Sequence, residues 1–298
     1  MSLIVITGAT GFIGRAIVAQ ARAAGHQVRA MVRDPSAAQW LKKKFGCELV
    51  TGNGLDAPTL ASVFRNAQSV IHLVGIIRER GAQTFDSVHR QATGNVVAAA
   101  QKAAVMRFIH MSALGTRPAA RSRYHQTKWA AEEIVRQSGL AWTIFRPSLV
   151  YGPGDQSISE LAKIVRLAPV IPVLGNGRSK IQPVSVAVVA QSFVGALTHP
   201  NSVRQTYDLC GPAAFTWNEL YNQLLAAQGR RKPKWHLPLP LAQMLATLGE
   251  WVLPNPPFTR DQLLMLQEDN TGNPELATRD FNLKLESFAQ SLSPKANR

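Results

Sequence analysis

Tyr124-His125-Gln126-Thr127-Lys128 sets a phenol and an ammonium at i and i+4, on one face of the helical stretch that begins there. A free tyrosine titrates near ~10 and is a poor base at neutral pH. A lysine beside it stabilises the phenolate and lowers its pKa towards the working range, so the pair is a candidate for moving a proton onto or off an oxygen. Ser112 ends a strand-like run twelve residues earlier, where its hydroxyl can hold that oxygen beside Tyr124. YxxxK alone also describes an ordinary exposed pair. Its combination with Ser112 and with a glycine turn upstream makes the signal specific.

That turn is Gly8-Ala9-Thr10-Gly11-Phe12-Ile13-Gly14, which follows an apolar strand and opens an amphipathic helix. Its GxxGxxG spacing is a relative of the GxGxxG dinucleotide fingerprint. The first glycine allows a tight turn, the second lets backbone approach a pyrophosphate, and the third permits close helix–strand packing. The N–H groups of the helix N-terminus then face the phosphates. Thr10, Phe12 and Ile13 belong to the same expected cofactor contact. The second strand ends Met31-Val32-Arg33-Asp34. Arg33 favours NADP(H) through charge pairing with a 2′-phosphate and flat stacking on adenine, while Asp34 keeps NAD(H) open.

The elements that must position these groups alternate short β-branched runs with helical stretches, the pattern of an α/β doubly wound parallel sheet covered on both faces. Strands are expected at Leu3–Thr7, Gln27–Val32, Glu48–Val50, Ser69–Val74, Arg107–Ser112 and Trp142–Phe145. Ile13, Ile17 and Ala21 put one apolar stripe against the sheet, and Gly25 ends that helix. Further helices are expected at Ala57–Asn66, Thr93–Ala104 and Gln126–Gln137. After Tyr151-Gly152-Pro153-Gly154-Asp155 the alternation fades. The division is therefore a dinucleotide-binding region at 1–154 and a smaller substrate or cap region at 155–298. Ile181–Val189 and Tyr207–Leu209 read as strands returning to the sheet, with helices near Trp217–Gln228 and Leu239–Trp251 forming the cap.

A chain of 298 residues, 46% hydrophobic and 17% charged, is globular over most of its length, with a tail at Ser291–Arg298. Cys47 and Cys210 fall in no metal or disulfide spacing and read as buried free thiols, so no metal is expected. The start of the chain lacks the pattern of a signal peptide, which suggests a cytoplasmic protein. A formal charge of +15 favours anionic partners. The basic runs Lys42–Lys44 and Arg230–Lys234 are not interleaved with stacking aromatics, so they read as solvated surface and nucleic acid is not expected. The apolar stretch Leu237 to Pro254 reads as a helix packed on the core. Trp235, Trp251 and the adjacent basic run leave open an interfacial helix resting at the periphery of a membrane. His72 and His110 read as satisfied core residues.

Taken together, Gly8–Gly14, His72-Leu73-Val74-Gly75, Arg107–Ser112, Tyr124–Lys128 and Arg146–Gly154 resemble the extended or atypical short-chain dehydrogenase/reductase superfamily, over roughly residues 1 to 230. The run from Gly75 to His89 resembles a narrower branch, the accessory subunit of respiratory complex I and its bacterial relatives. The resemblance implies a Rossmann-type fold with Leu73, Val74 and Gly75 flanking the adenosine and Lys128 on the nicotinamide ribose. It puts Pro147 to Val150 by the carboxamide. Asn53 and His89 depart from the family pattern. The Ser112–Tyr124 interval is shorter than in sugar-nucleotide epimerases.

Two classes of function follow. In the first, an NAD(P)-dependent oxidoreductase moves hydride to or from a carbonyl or alcohol carbon of a small substrate, for which the apolar stretches suggest a hydrophobic one, with Tyr124 as acid/base; epimerisation or dehydration is the variant of this class. In the second, NADP(H) is held by a scaffold or assembly protein of a respiratory complex without turnover. Either a monomer or a homodimer is expected.

Overall fold

Runs rich in β-branched residues form the strands of one parallel sheet, and a computed structural model describes residues 2–253 and 256–292. The strands β1 (Leu3–Thr7), β2 (Gln27–Val32), β3 (Glu48–Thr51), β4 (Ser69–His72), β5 (Arg107–Met111) and β6 (Ala141–Pro147) are joined by a seventh at Gln205–Leu209. Their spatial order is Gln205–Leu209, β6, β5, β4, β1, β2, β3. The chain winds outwards from β1 to β3, crosses back to β4 and winds the other way. Between β1 and β4 the direction reverses, which opens a crevice at the carboxyl ends of the strands.

Helices cover both faces, and every residue of β4 is buried, as a doubly covered sheet requires. On one face α1 (Phe12–Ala23) and the helix Val186–Gly195 bury Ile17, Val18, Val189 and Phe193 against Ile4, Ile6 and Ile71. The short α2 (Gln39–Phe45) adds Leu41. On the other face α3 (Ala57–Phe64), α4 (Ala92–Lys102) and α5 (Arg123–Gln137) pack Leu60, Val96 and Val135 against Val5, Val70 and Phe108. A smaller apolar cluster joins the helices Ser157–Leu167 and Trp217–Ala227 through Val165, Leu220 and Leu224.

Three expectations need correction. Residues 181–189 do not return to the main sheet: Lys180–Ile181 and Val184–Ser185 are isolated two-residue strands, and a helix starts at Val186. Ser185 caps it by accepting a hydrogen bond from the Val188 amide, and its valines are buried, so composition suggested a strand where packing dictates a helix. The helix Leu239–Val252 is not a core helix, because it buries Ala242 and Ala246 and leaves its apolar residues outside. The expected tail begins with Ser291, which ends a capped helical turn at Phe288–Ser291; residues 293–298, like Pro254, lie outside the described residues.

Candidate active site

The glycine turn is built as its spacing requires. Gly8 has φ +75°, a left-handed conformation that a side chain would strain. A Cβ on Gly14 would lie 2.2 Å from the Gly8 carbonyl oxygen and 2.8 Å from the Ala9 Cα, so α1 can sit this close to β1 only with glycine there. Gly11 stands at the N-cap with no side-chain cap, and the first turn carries no acid. Thr10 and Gly11 are exposed, and Phe12 and Ile13 are half-buried. The amides of the first turn are thus left for an anion, and the cradle fits the pyrophosphate of a dinucleotide.

Arg33 is exposed at the end of β2. Asp34 is occupied locally: its Oδ1 accepts from the Ser36 hydroxyl at 2.7 Å and from the Ser36 and Ala37 amides at 2.8 and 3.3 Å. These bonds, the Ser36 hydroxyl first, hold its carboxyl below the usual range. Asn53 likewise accepts from its own loop, at the Leu55 amide.

At the end of β4, Leu73 abuts the turn, its backbone carbon 3.2 Å from where a Gly8 Cβ would stand. Val74 is half-buried and Gly75 exposed. A Cβ on Gly75 would meet the Lys128 Nζ at 3.0 Å, so this backbone passes directly against the lysine. The next residue is pinned by His89, whose Nε2 lies 3.1 Å from the Ile76 amide and 3.0 Å from the Ile76 carbonyl oxygen, while Nδ1 donates to the Thr127 hydroxyl at 2.9 Å. The protons are assigned from this network. Burial pushes His89 down to about 2, consistent with that neutral ring. His89 belongs to a wide helical turn, Asp86–Gln91, which leads into α4.

Ser112 is buried immediately after β5 and donates its amide to Phe145 O at 2.7 Å, while its hydroxyl reaches Thr116 Oγ1 at 3.4 Å. Tyr124 lies in the first turn of α5, its ring in edge-to-face contact with Phe85, His89 and His125. Lys128, one turn on, is 3% exposed, and its Nζ donates to Met111 O at 3.0 Å. Pro147 closes β6 and accepts from the Leu114 amide at 2.9 Å. Val150 is half-buried and pairs with Val184. The carboxyl ends of β1, β2, β4, β5 and β6 therefore carry the expected cofactor residues along one sheet edge, with Tyr124 and Lys128 brought to it by α5.

The electrostatics differ from expectation at Tyr124. Burial pushes its phenol up to about 12, so the hydroxyl stays protonated at neutral pH. Burial also pushes Lys128 down to about 8, opposed by Glu132. His72 is satisfied, with Nδ1 bonded to Thr7 Oγ1 at 2.7 Å and Nε2 to Thr93 Oγ1 at 3.1 Å. His110 is not: stacked on His72 at 5.5 Å, it has neither ring nitrogen partnered among the described residues. Burial holds it neutral.

Several positioning residues have no signal in local spacing. Asp261 accepts from the Arg123 and Tyr124 amides at 2.7 and 3.2 Å, capping α5 from 137 residues away. Arg78 donates to the carbonyls of Pro256 and Pro257 at 2.7 and 2.8 Å. Asn270 accepts from Ser148 Oγ at 2.6 Å behind Pro147. A cleft of about 610 Å³ lies between these segments, lined by Phe85, Arg123, Leu253, Pro256, Asp261 and Leu264 among others. Phe85, one of its lining residues, is in edge contact with the Tyr124 ring.

A parallel sheet wound both ways from a glycine cradle defines a Rossmann-type protein built to hold a dinucleotide. The family model for NAD(P)H-binding proteins matches residues 8–200, and the chain belongs to that family. It is 30% identical over 294 residues to the mitochondrial NADH dehydrogenase [ubiquinone] 1 alpha subcomplex subunit 9 of Arabidopsis thaliana, covering 95% of this chain and 72% of the relative. It is also 30% identical over 239 residues to a ceramide reductase of Caulobacter vibrioides, covering 80% and 74%. The Escherichia coli NADPH-dependent quinone oxidoreductase structure shares the fold, with a TM-score of 0.77 at 20% identity over 97% of this chain and 98% of that one. The chain is thus a member of the NAD(P)H-binding family, similar to a complex I accessory subunit and to a ceramide reductase.

Proposed function

We propose that this chain is an NADP(H)-dependent reductase in which Tyr124 is the acid/base for a carbonyl or alcohol oxygen. The observation that carries the reading is the buried ammonium of Lys128, wedged between Gly75 and Met111 O one helical turn from Tyr124. Burying an ammonium costs stability, and a purely structural helix would put an apolar side chain there.

When bound, the dinucleotide supplies or takes the hydride. Gly8, Thr10, Gly11, Phe12, Ile13 and Gly14 would hold its pyrophosphate and Arg33 its 2′-phosphate, since Asp34 is committed to its own turn. Leu73, Val74 and Gly75 would flank the adenosine, Lys128 the ribose, and Pro147 and Val150 the carboxamide. Ser112 holds the substrate oxygen. Tyr124, protonated at neutral pH, is in the state that gives a proton to that oxygen as a carbonyl becomes an alcohol. The Lys128 ammonium stabilises the phenolate left behind. The relative named as a ceramide reductase supports a hydrophobic carbonyl compound as substrate, and the neighbouring cleft sets Phe85, Leu253, Pro256 and Leu264 among charged side chains such as Arg78, Arg123 and Arg260.

A second reading, a cofactor-binding scaffold of a respiratory complex, is supported by the likeness to the Arabidopsis subunit over 95% of the chain. It also draws on Asp261 and Arg78, which hold the 256–261 segment against the start of α5. Epimerisation or dehydration is less favoured, because the interval of twelve residues from Ser112 to Tyr124 leaves little room for a sugar nucleotide. Titration with NADPH and NADH, followed by a panel of carbonyl and quinone acceptors, separates these readings: turnover lost in Tyr124→Phe supports the reductase, and binding without turnover supports the scaffold.

A further inference from the structure

We propose that the outer face of the helix Leu239–Val252 docks on the surface of an anionic phospholipid bilayer. Leu241, Met244, Leu245, Leu248, Trp251 and Val252 recur at the i, i+3, i+4, i+7, i+10 and i+11 positions and form one stripe. All of it is exposed, with Met244 and Leu248 at 53%, Val252 at 75% and Trp251 at 86%. The opposite side is the packed one: Ala242 and Ala246 are fully buried in a small cluster with Leu237 and Leu263. The helix carries one charge, Glu250, and Arg260 neutralises it at 2.6 Å. An uncharged apolar stripe of this kind in water marks an interaction site.

The surrounding charge selects the occupant. Residues 220–249 contain no acid but carry Arg230, Arg231, Lys232 and Lys234; residues 161–207 contain no acid either. Lys232 and Lys234 are tied to main-chain carbonyls of neighbouring elements, whereas Arg230 and Arg231 are exposed and make no ion pair among the described residues. Trp235 stands exposed just ahead of the helix, opposite Pro172 in the register of a short strand pair. Tryptophans at both ends of an apolar stripe, with exposed arginines in the run that leads into it, match the boundary between acyl chains and anionic head groups. A second copy of the chain would bring the same basic run and a net charge of +15 against itself. Among the described residues no helix is long and apolar enough to cross a membrane, so the contact is interfacial. Leu253, the next residue, lines the cleft, so the docking stripe and the cleft mouth adjoin. Docking of this stripe requires no turnover.

The experiment is cosedimentation of the full chain with vesicles of phosphatidylcholine alone and of phosphatidylcholine and phosphatidylglycerol in equal parts. The wild type is expected to pellet with the anionic vesicles and to be released by high salt. Leu248→Glu with Trp251→Glu should weaken partition at least ~tenfold, and Arg230→Gln or Arg231→Gln by about fivefold each. Thermal melting and NADPH binding check that these exposed substitutions leave the fold intact. Wild type that stays in the supernatant, or a double variant that pellets equally well, overturns the proposal. So does a concentration-dependent dimer that the double variant dissolves while neither protein binds vesicles.

Discussion

The Lys128 ammonium donates to the carbonyl oxygen of Met111 at 3.0 Å, tying α5 to the last residue of β5. The bond runs between the helix carrying Tyr124 and the strand end that leads into Ser112. Because the lysine is buried, its placement opposes stability and needs a functional reason.

Lys128→Met should lower turnover by about 100-fold or more while leaving the protein as stable or more so at neutral pH. The pH dependence fixes the sign. Burial moves this lysine from 10.5 to about 8, so between those values the unfolded chain binds more protons and wild-type stability rises with pH. The penalty is full below about 8, amounts to about 3 kcal/mol, and is gone above the unfolded value. Urea unfolding of both proteins on either side of this window checks it: the methionine variant should lack the rise.

Gly14→Ala should abolish NADPH binding and destabilise the protein by about 2 kcal/mol, because its methyl would sit 2.2 Å from the Gly8 carbonyl oxygen and force α1 away from β1. Isothermal titration and thermal melting measure the two effects. Retained affinity would show that the cradle is not the phosphate site.

Arg33→Gln should weaken NADPH about tenfold and leave NADH nearly unchanged, the effect of losing one charge-assisted contact. Equal losses for both cofactors would make Arg33 a general rather than a 2′-phosphate contact.

Glu132→Ala should destabilise by about 3 kcal/mol. The carboxylate is fully buried and accepts from Arg146 at 2.8 and 2.6 Å and from Arg136 at 2.6 Å, joining α5 to β6. Denaturant melts read the loss, and a change below ~0.5 kcal/mol would contradict this role.

Where residues act through neighbours in sequence, the fold and site were legible beforehand. β1 and β2 occur with the expected bounds, since their β-branched runs are short and flanked by turn residues. Gly8 and Gly14 could be read because backbone sterics leave no other residue type for those jobs. The helix at Val186–Gly195 was not legible, because its valine-rich run reads as a strand and only Ala187 and Gln191 mark its exposed stripe. Asp261 was invisible for another reason: it caps α5 across 137 residues, and nothing local to either partner records the contact. His110 reads as an ordinary core histidine in sequence, and only its surroundings reveal two unpartnered nitrogens. The protonated state of Tyr124 depends on desolvation, which the YxxxK spacing does not encode.

The most direct test of the account is single-turnover oxidation of bound NADPH by hydrophobic carbonyl and quinone acceptors, in wild type and Tyr124→Phe. The account predicts that both proteins bind NADPH alike and that hydride transfer falls at least ~100-fold in the phenylalanine variant. Equal rates in the two proteins, or no turnover by the wild type across the panel despite tight NADPH binding, would contradict it.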